Sequence, residues 1–335
     1  MQSFTIKKTK YIFLAVGCII LAVLFKSFGI QSTIEHIKSL GWFFVLVCSV
    51  HIVSNGGMAY AWSLFLPCRK LRYMPTIFCA RVAGDATASI NALGAFAGEP
   101  IKALYLRDIV PFQTGLASVI LDRTIHSIAV TLIFMTGIII GLFVLDLPLA
   151  FSISGMVVML ILIIFLFYIV AKQKDGFITF ILSKLPKFIV NKFMTQSRMD
   201  KVKLLDEELS GLLLPQNRFK FVASLFLHYA VTLTISTLEI YIIVIMSEAV
   251  GGQFSFFEAM FVYVFGFILT SAMFFMPANI GTSEGSYSLA FKMLGFDPAL
   301  GLSLGIIRRL RTFVWSGIGI IFLFYAGLIK RQDNS

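Results

Sequence analysis

The sequence predicts an all-α polytopic membrane protein. Of its 335 residues, 58% are apolar and only 13% are charged, whereas soluble domains carry about 25% charged residues. The apolar residues also gather in runs of about 20, the length that an α-helix needs to cross the hydrocarbon core of a bilayer. The net charge of +11 comes from Lys and Arg that lie mostly beside the ends of these runs, as in membrane proteins, so we expect no nucleic-acid partner.

Six runs are long enough to form full membrane spans. Two further segments begin as apolar helices, break at turns that contain Gly and Pro, and resume as helices too short to cross alone. We expect these two to be broken re-entrant hairpins, which gives eight helical membrane segments, and eight plain spans are the alternative. The predicted full spans are Tyr11–Phe28, Trp42–Leu66, Gly115–Val144, Leu149–Ala171, Phe219–Met246 and Leu300–Leu328, and the predicted hairpins are Thr76–Arg107 and Phe256–Leu294.

The distribution of basic residues supports the two hairpins. With a cytoplasmic N-terminus, every Lys/Arg cluster falls on the cytoplasmic side only if both ambiguous segments turn back. The C-terminus is then cytoplasmic too. We therefore expect a multi-pass protein of the cytoplasmic (cell) membrane, with an amphipathic elbow over residues 172–218 that lies along its inner surface.

The two hairpins belong to a predicted internal repeat. Twenty-four positions separate Glu99 from Arg123, and the same number separates Glu284 from Arg308. Charged residues are scarce in this chain, so two matching pairs are hard to attribute to chance. We interpret residues 1–335 as a single integral membrane domain, with a first half at 1–145 and an inverted second half at 149–330. Inverted repeats with broken helices that meet near the midplane are a recurrent transporter plan.

Several ionisable residues are predicted at membrane depth, where they are costly and mark binding sites or pathways. Pro100 predicts a half-helix that begins there, and Thr282 or Ser283 predicts a cap for a second half-helix near Glu284. Such helix N-termini bind phosphate. The excess of arginine also favours an anionic lipid headgroup, because arginine pairs with phosphate bidentately. The predicted headgroup-binding residues are Glu99, Lys102, Arg123, Asn279, Ser283, Glu284, Arg308, Arg309 and Arg311.

Some of these charges could serve the fold instead. The pairs Glu99–Arg123 and Glu284–Arg308 could be buried ion pairs that fix each hairpin against its neighbour. On this alternative the charges stabilise the protein and contact no ligand. The excess of arginine near position 308 is what favours the ligand interpretation.

Four other polar residues are assigned separately. Arg81 and Asp85, four positions apart, are expected to form a structural ion pair. Asp122 and His126 share one helical face, so His126 is interpreted as a hydrogen-bonded partner of Asp122, and both are candidates to carry coupling protons. No second His or Cys lies at ligand spacing, so we expect no metal ion.

Motifs of common catalytic sites are absent from the sequence. It contains no G-x-x-x-x-G-K-[ST], no H-E-x-x-H and no G-x-S-x-G, the patterns of phosphate-binding loops, zinc proteases and serine hydrolases. We therefore expect no cofactor and no catalytic activity.

The runs GAFAGEPIKALYLRD, LASVILDR, PANIGTSEG and GIIRRL resemble the transmembrane region of lysylphosphatidylglycerol synthases, which also occurs as stand-alone flippase-like membrane proteins. The resemblance covers nearly the whole chain and implies transfer of a lipid between leaflets. Members often carry Pro-Ala-Arg before the first Gly-Glu, whereas this chain has Gly94-Ala95-Phe96-Ala97, which puts the headgroup preference in doubt. The soluble aminoacyltransferase domain of the full synthases is not in this sequence, so we do not expect synthesis of aminoacyl lipid.

Three hypotheses follow. The favoured one is a flippase that moves an anionic or aminoacylated phospholipid, or a polyprenyl-phosphate-linked lipid, between leaflets. The second is a membrane enzyme or accessory subunit of lipid modification, which would work with a transferase partner. The third is a non-transporting assembly scaffold, in which the ion pairs only hold the fold.

Overall fold

A computed structural model describes most of the chain between Ile30 and Gln332. The described residues are 30–67, 71–90, 95–143, 153–164, 196–212, 214–247, 254–273, 276 and 279–332. All regular secondary structure in these residues is helical. The predicted span Tyr11–Phe28 lies outside them, as do both ends of Leu149–Ala171 (149–152 and 165–171) and residues 172–195 of the predicted elbow.

The described helices follow the predicted order. We label them α1 Ile30–Leu40, α2 Phe43–Ser63, α3 Met74–Ile90, α4 Ala95–Tyr105, α5 Phe112–Phe143, α6 Ile153–Ile164, α7 Gln196–Leu212, α8 Arg218–Met246, α9 Phe256–Ala272, α10 Thr282–Met293 and α11 Pro298–Gln332.

Four helical stretches in the described residues are long and apolar enough to cross a membrane. They are Phe43–Ser63, Phe112–Leu142, Pro215–Met246 and Pro298–Gly327, which correspond to α2, α5, α8 and α11. Each coincides with one of the six predicted full spans. The chain is therefore a helical multi-pass membrane protein.

The two segments predicted to break are each built from two shorter helices. α3 packs against α4, and α9 packs against α10. Gly84 and Gly98 bring α3 and α4 into close contact, because a Cβ on Gly98 would overlap the carbonyl oxygen of Gly84. Each pair is thus a helical hairpin made of elements shorter than a membrane span.

The predicted starts of both short helices were wrong. α4 begins at Ala95, so Pro100 and Glu99 lie inside the helix rather than at its N-terminus. α10 is capped by Gly281, whose positive φ of 77° suits glycine. Its N–H donates to Glu284 Oε2 at 2.9 Å, so the carboxylate of the helix itself replaces the predicted hydroxyl cap.

The described helices group into two compact units. The described residues within 1–54, 133–156 and 231–315 form unit 1, and those within 55–132, 157–230 and 316–335 form unit 2. These units do not follow the predicted halves 1–145 and 149–330. The reason is that α2, α5, α8 and α11 each contribute one part to unit 1 and the other to unit 2.

Unit 1 contains the α9/α10 hairpin. α11 approaches α10 closely, since a Cβ on Gly301 would overlap the backbone at Ser288. The second part of α5 packs on α9 in the same way, with Gly137 against the side chain of Val264. Small residues thus allow close helix packing on both sides of the hairpin.

Unit 2 contains the α3/α4 hairpin. The last part of α11 packs on α3, where Gly319 lies against Ala86 and the backbone of Val82. Buried Trp62 of α2 donates its Nε1–H to Ser118 of α5 at 3.0 Å. These contacts hold α11 against the hairpin and α2 against α5.

Helix α7 also packs into unit 2. Its Leu209 is only 2% exposed and contacts a cluster from α2 and α5. The other buried members of that cluster are Leu64, Phe65, Leu121 and Ile125. The part of the elbow that the structure describes is therefore attached to the helices by an apolar contact.

Candidate functional site

Unit 1 holds a cluster of charges centred on Glu239 of α8. Arg308 Nη2 of α11 lies 3.5 Å from Glu239 Oε2, and Arg311 of the same helix contacts Oε1. Glu239 is 3% exposed at its side chain. Removal of a charge from water is expensive unless it is paired, so one buried carboxylate holds two arginines from the neighbouring helix.

The second carboxylate of unit 1, Glu284, has four polar contacts and no solvent exposure. Arg309 Nε donates to Glu284 Oε1 at 2.9 Å, and the hydroxyl of Ser283 donates to Oε2 at the same distance. Together with Gly281 N–H, these donors satisfy the carboxylate within the protein. Glu284 therefore caps α10 and ties it to α11, which is a structural role.

Asn279 supplies the backbone of the turn before α10. Its φ of 51° is in the left-handed region, and its carbonyl oxygen accepts hydrogen bonds from Thr282, Ser283 and Arg309. The irregular backbone is thereby satisfied by protein groups, as membrane depth requires. Neighbouring Pro277, part of the predicted irregular stretch, lies outside the described residues.

The predicted pairing of Glu284 with Arg308 was wrong, because Arg309 occupies that position. Successive residues of an α-helix point about 100° apart, so the 24-residue spacing alone does not determine which of two adjacent arginines faces the hairpin. Arg308 faces α8 and α10 instead. Arg311 is paired with Glu239, which lies close in space although it is distant in sequence.

Arg308 lies between aromatic rings. Its Nη1 donates to the hydroxyl of Tyr287 at 2.7 Å. Its Cζ lies 5.4 Å from the ring centroid of Tyr287 and 5.7 Å from that of Tyr263, within the range of cation–π attraction. The guanidinium is 15% exposed at the side chain, so it is held in position yet remains partly accessible.

Unit 2 holds a second cluster, centred on Asp122 of α5. Arg81 Nη1 of α3 donates to Asp122 Oδ2 at 3.3 Å, and His228 Nε2 of α8 lies 3.3 Å from Oδ1. Arg81 Nε also lies 3.7 Å from Asp85, the partner four residues away. Asp122 thus joins α3, α5 and α8.

The α4 lysine extends this cluster. Lys102 Nζ lies 2.9 Å from Asp85 and 3.2 Å from Glu99, and the lysine is 5% exposed. Glu99 therefore pairs within its own helix, so the expected contact with Arg123 was wrong. Arg123 is exposed and makes no ion pair with any described residue.

The predicted hydrogen bond between His126 and Asp122 was also wrong. Asp122 is occupied by Arg81 and His228, while the ring of His126 lies edge-on to that of His228 with centroids 5.5 Å apart. The Nδ1 atom of His126 is buried and has no hydrogen-bond partner among the described residues. His126 therefore adds a buried imidazole beside the Asp122–His228 contact.

Sequence reasoning assigned no role to two ionisable residues inside the apolar helix α8, His228 and Glu239. Each of them pairs with a charge on another helix. The signal was present, since an ionisable residue inside an apolar span is a site candidate in itself. Their spacing of 11 residues is close to three helical turns, which places both on one face of α8.

The two clusters differ in charge balance. In unit 1, three arginines face two glutamates. In unit 2, three basic side chains (Arg81, Lys102 and Arg123) match three acidic ones (Asp85, Glu99 and Asp122). No group of three or more His, Cys, Asp or Glu in the described residues is arranged to hold a metal ion. The arrangement can attract an anion, most strongly in unit 1.

These features define a class: a helical multi-pass membrane protein with ionisable clusters packed among short hairpins. The resemblance seen in the sequence is confirmed by a comparison with protein families. Residues 11–319 match the family described as "Lysylphosphatidylglycerol synthase TM region", and the chain belongs to this family. No curated protein matches the chain, and no solved structure matches it. Family membership connects the protein with lipid modification or lipid translocation.

Proposed function

We propose that the protein is a lipid translocase that moves a phosphate-bearing lipid headgroup between the two leaflets. The observation that carries the proposal is the surplus of arginine in unit 1, where three guanidinium groups face two carboxylates. A phosphodiester or phosphate would balance the remaining charge. Arginine is suited to this because its planar donors match phosphate oxygens.

Arg308 is the proposed headgroup contact. Glu284 is saturated by protein donors, and Arg309 is committed to it. Arg308 has only a long contact of 3.5 Å to Glu239, which is shared with Arg311. An incoming phosphate can therefore replace the weak ion pair of Arg308 while the tyrosine rings keep the guanidinium in place.

We also infer that the two hairpins belong to an inverted repeat. Support comes from a reciprocal packing pattern inside the units. The later part of α5 packs on α9 through Gly137, and the later part of α11 packs on α3 through Gly319. Each of these two long helices thus packs on the hairpin of the other predicted half, as expected for two related halves. The convergence of both charge sets on one cavity stays a prediction.

The test is scrambling of fluorescent lipids in vesicles that contain the purified chain. The probes are labelled phosphatidylglycerol, labelled phosphatidylcholine and a labelled polyprenyl phosphate. We expect faster movement of at least one of them than in empty vesicles, and loss of that activity in Arg308→Gln. Lys292→Gln, which removes an exposed cation from α10, is the matched control and should retain it.

The same vesicles separate the alternatives. If the clusters only stabilise an assembly scaffold, Arg308→Gln lowers the melting temperature and no lipid moves in the wild-type protein. If the chain is an enzyme of lipid modification, mass spectrometry detects a chemically changed lipid. Either outcome contradicts the translocase proposal.

A further inference from the structure

A second candidate site is the contact between Asp122 and His228 in unit 2. The two side chains are 8% and 0% exposed, and His228 Nε2 lies 3.3 Å from Asp122 Oδ1. Neither of these two atoms makes a hydrogen bond of standard geometry with a described residue. A buried carboxylate and a buried imidazole thus face each other away from water.

The other ring nitrogen determines where the hydrogens are. His228 Nδ1 lies 2.9 Å from the backbone carbonyl oxygen of Ser224. A carbonyl oxygen can only accept, and the Ser224 hydroxyl lies farther from Nδ1, at 3.4 Å, so the shorter contact favours a hydrogen on Nδ1 that is donated to the carbonyl. Nε2 then faces the carboxylate either with a lone pair or with a second proton. A lone pair against a carboxylate is unfavourable, whereas one proton between them satisfies both atoms.

Other titratable groups surround this contact. His126, one turn beyond Asp122 on α5, has a buried Nδ1 without a partner among the described residues and lies edge-on to His228. The charged groups that face the pair from α3, α4 and α5 are Arg81, Asp85, Glu99, Lys102 and Arg123. Together with Asp122 itself, three acidic groups balance the three basic ones, so one added proton gives the cluster a net positive charge.

We propose that Asp122 and His228 form a proton-binding site, and that proton binding is coupled to headgroup movement. In the loaded state, His228 carries hydrogen on both ring nitrogens and Asp122 is a carboxylate. On release the Nε2 proton returns to water, and His228 keeps the Nδ1 hydrogen. No other bond is made or broken. His126 is a positioning residue that packs against the ring of His228.

The coupling follows from electrostatics and rests on the proposed translocase function. The unloaded cluster is balanced, whereas the loaded cluster carries one extra positive charge beside exposed Arg123. An anionic headgroup is therefore held more tightly when the proton is bound. Linkage requires that the headgroup in turn favours proton binding.

The proton site can be tested without any transport assay. The chain has only four histidines, so nitrogen-15 histidine NMR in lipid nanodiscs can resolve each ring, with His228 assigned through His228→Gln. We expect doubly protonated His228 in the wild-type protein. In Asp122→Asn we expect neutral His228 at the same pH. A neutral wild-type His228 over the whole range in which the protein stays folded would overturn the proposal.

The coupling is tested in vesicles of phosphatidylcholine and phosphatidylglycerol with an imposed pH gradient. We expect the gradient to bias the leaflet distribution of labelled phosphatidylglycerol with the wild-type protein. His228→Gln should lose this bias yet still scramble the lipid without a gradient. Asp108→Asn, which removes an exposed acid of unit 2, is the matched control and should keep the bias.

The vesicle and NMR results test the coupling, the translocase function and the proton site separately. Scrambling by the wild-type protein without any response to the gradient overturns the coupling. Absence of scrambling in all proteins contradicts the translocase function, and the NMR result still decides the proton site. Melting temperatures of each variant identify loss of folding, and the wild-type NMR measurement does not depend on any variant being stable.

Discussion

The two charged clusters use similar residues in different ways. In unit 1, Glu284 is fully enclosed and accepts from Arg309, Gly281 and Ser283. In unit 2, Glu99 stands at the corresponding position of the predicted repeat. Its side chain is 17% exposed, and Lys102 is its one ion-pair partner among the described residues. The comparison teaches that a matching sequence position does not imply a matching role. The unfolding free energy lost when a charge is removed depends on whether its partners keep another group of opposite charge.

The largest expected effect separates these two glutamates. Glu284→Gln removes a fully buried charge and leaves half-buried Arg309 without its carboxylate, and breaking a buried pair costs about 3–5 kcal/mol of unfolding free energy. Glu99→Gln should lower the unfolding free energy by less than about 1 kcal/mol, because Lys102 remains paired with Asp85, whose Oδ1 lies 2.9 Å from Lys102 Nζ. Reversible unfolding in mixed detergent micelles measures both. Equal losses of unfolding free energy for the two variants would show that Glu284 and Glu99 contribute equally to stability, against this prediction.

The second prediction compares the two parts of α11. A Cβ at Gly301 would overlap the backbone of α10 at Ser288, so Gly301→Ala should destabilise unit 1 by about 1–3 kcal/mol. Gly317, in the part of α11 within unit 2, has nothing within 4 Å of its added Cβ. Gly317→Ala should therefore be neutral or stabilising by up to about 1 kcal/mol. The same unfolding measurement applies, and a neutral Gly301→Ala would contradict the close packing.

The smallest effect on stability is expected at Arg123. It makes no ion pair with the described residues, so Arg123→Gln should change the unfolding free energy by less than about 0.5 kcal/mol. Lipid scrambling should nevertheless slow down if Arg123 attracts headgroups. Arg107→Gln, which removes another exposed arginine from unit 2, should alter neither property. A large loss of stability in Arg123→Gln would reveal a structural role.

Much of the architecture was predictable because hydropathy acts locally. The runs that became α2, α5, α8 and α11 are predominantly apolar, and two other apolar segments that contain Gly and Pro form the pairs of shorter helices α3/α4 and α9/α10. Bilayer thickness then fixes which helices can cross. The first residue of α4 was harder to predict, because proline is compatible with the early turns of a helix as well as with its first residue.

The pairing of charges was much harder to predict. Arg308 and Arg311 meet Glu239, and Asp122 meets His228, across sequence separations of at least about 70 residues. Nothing local encodes such contacts. They depend on which faces of α8 and its neighbours meet, and that is decided by the packing of small and large apolar residues.

Arg123 also has a consequence for the lipid around the protein. It lies roughly 16 Å along α5 from the helix start, on a helix long and apolar enough to cross a membrane. A guanidinium at such a depth draws water and phosphate groups toward itself and thins the bilayer locally. We therefore expect a thinner membrane beside α5, which under the translocase proposal shortens the hydrophobic distance that a lipid headgroup travels there.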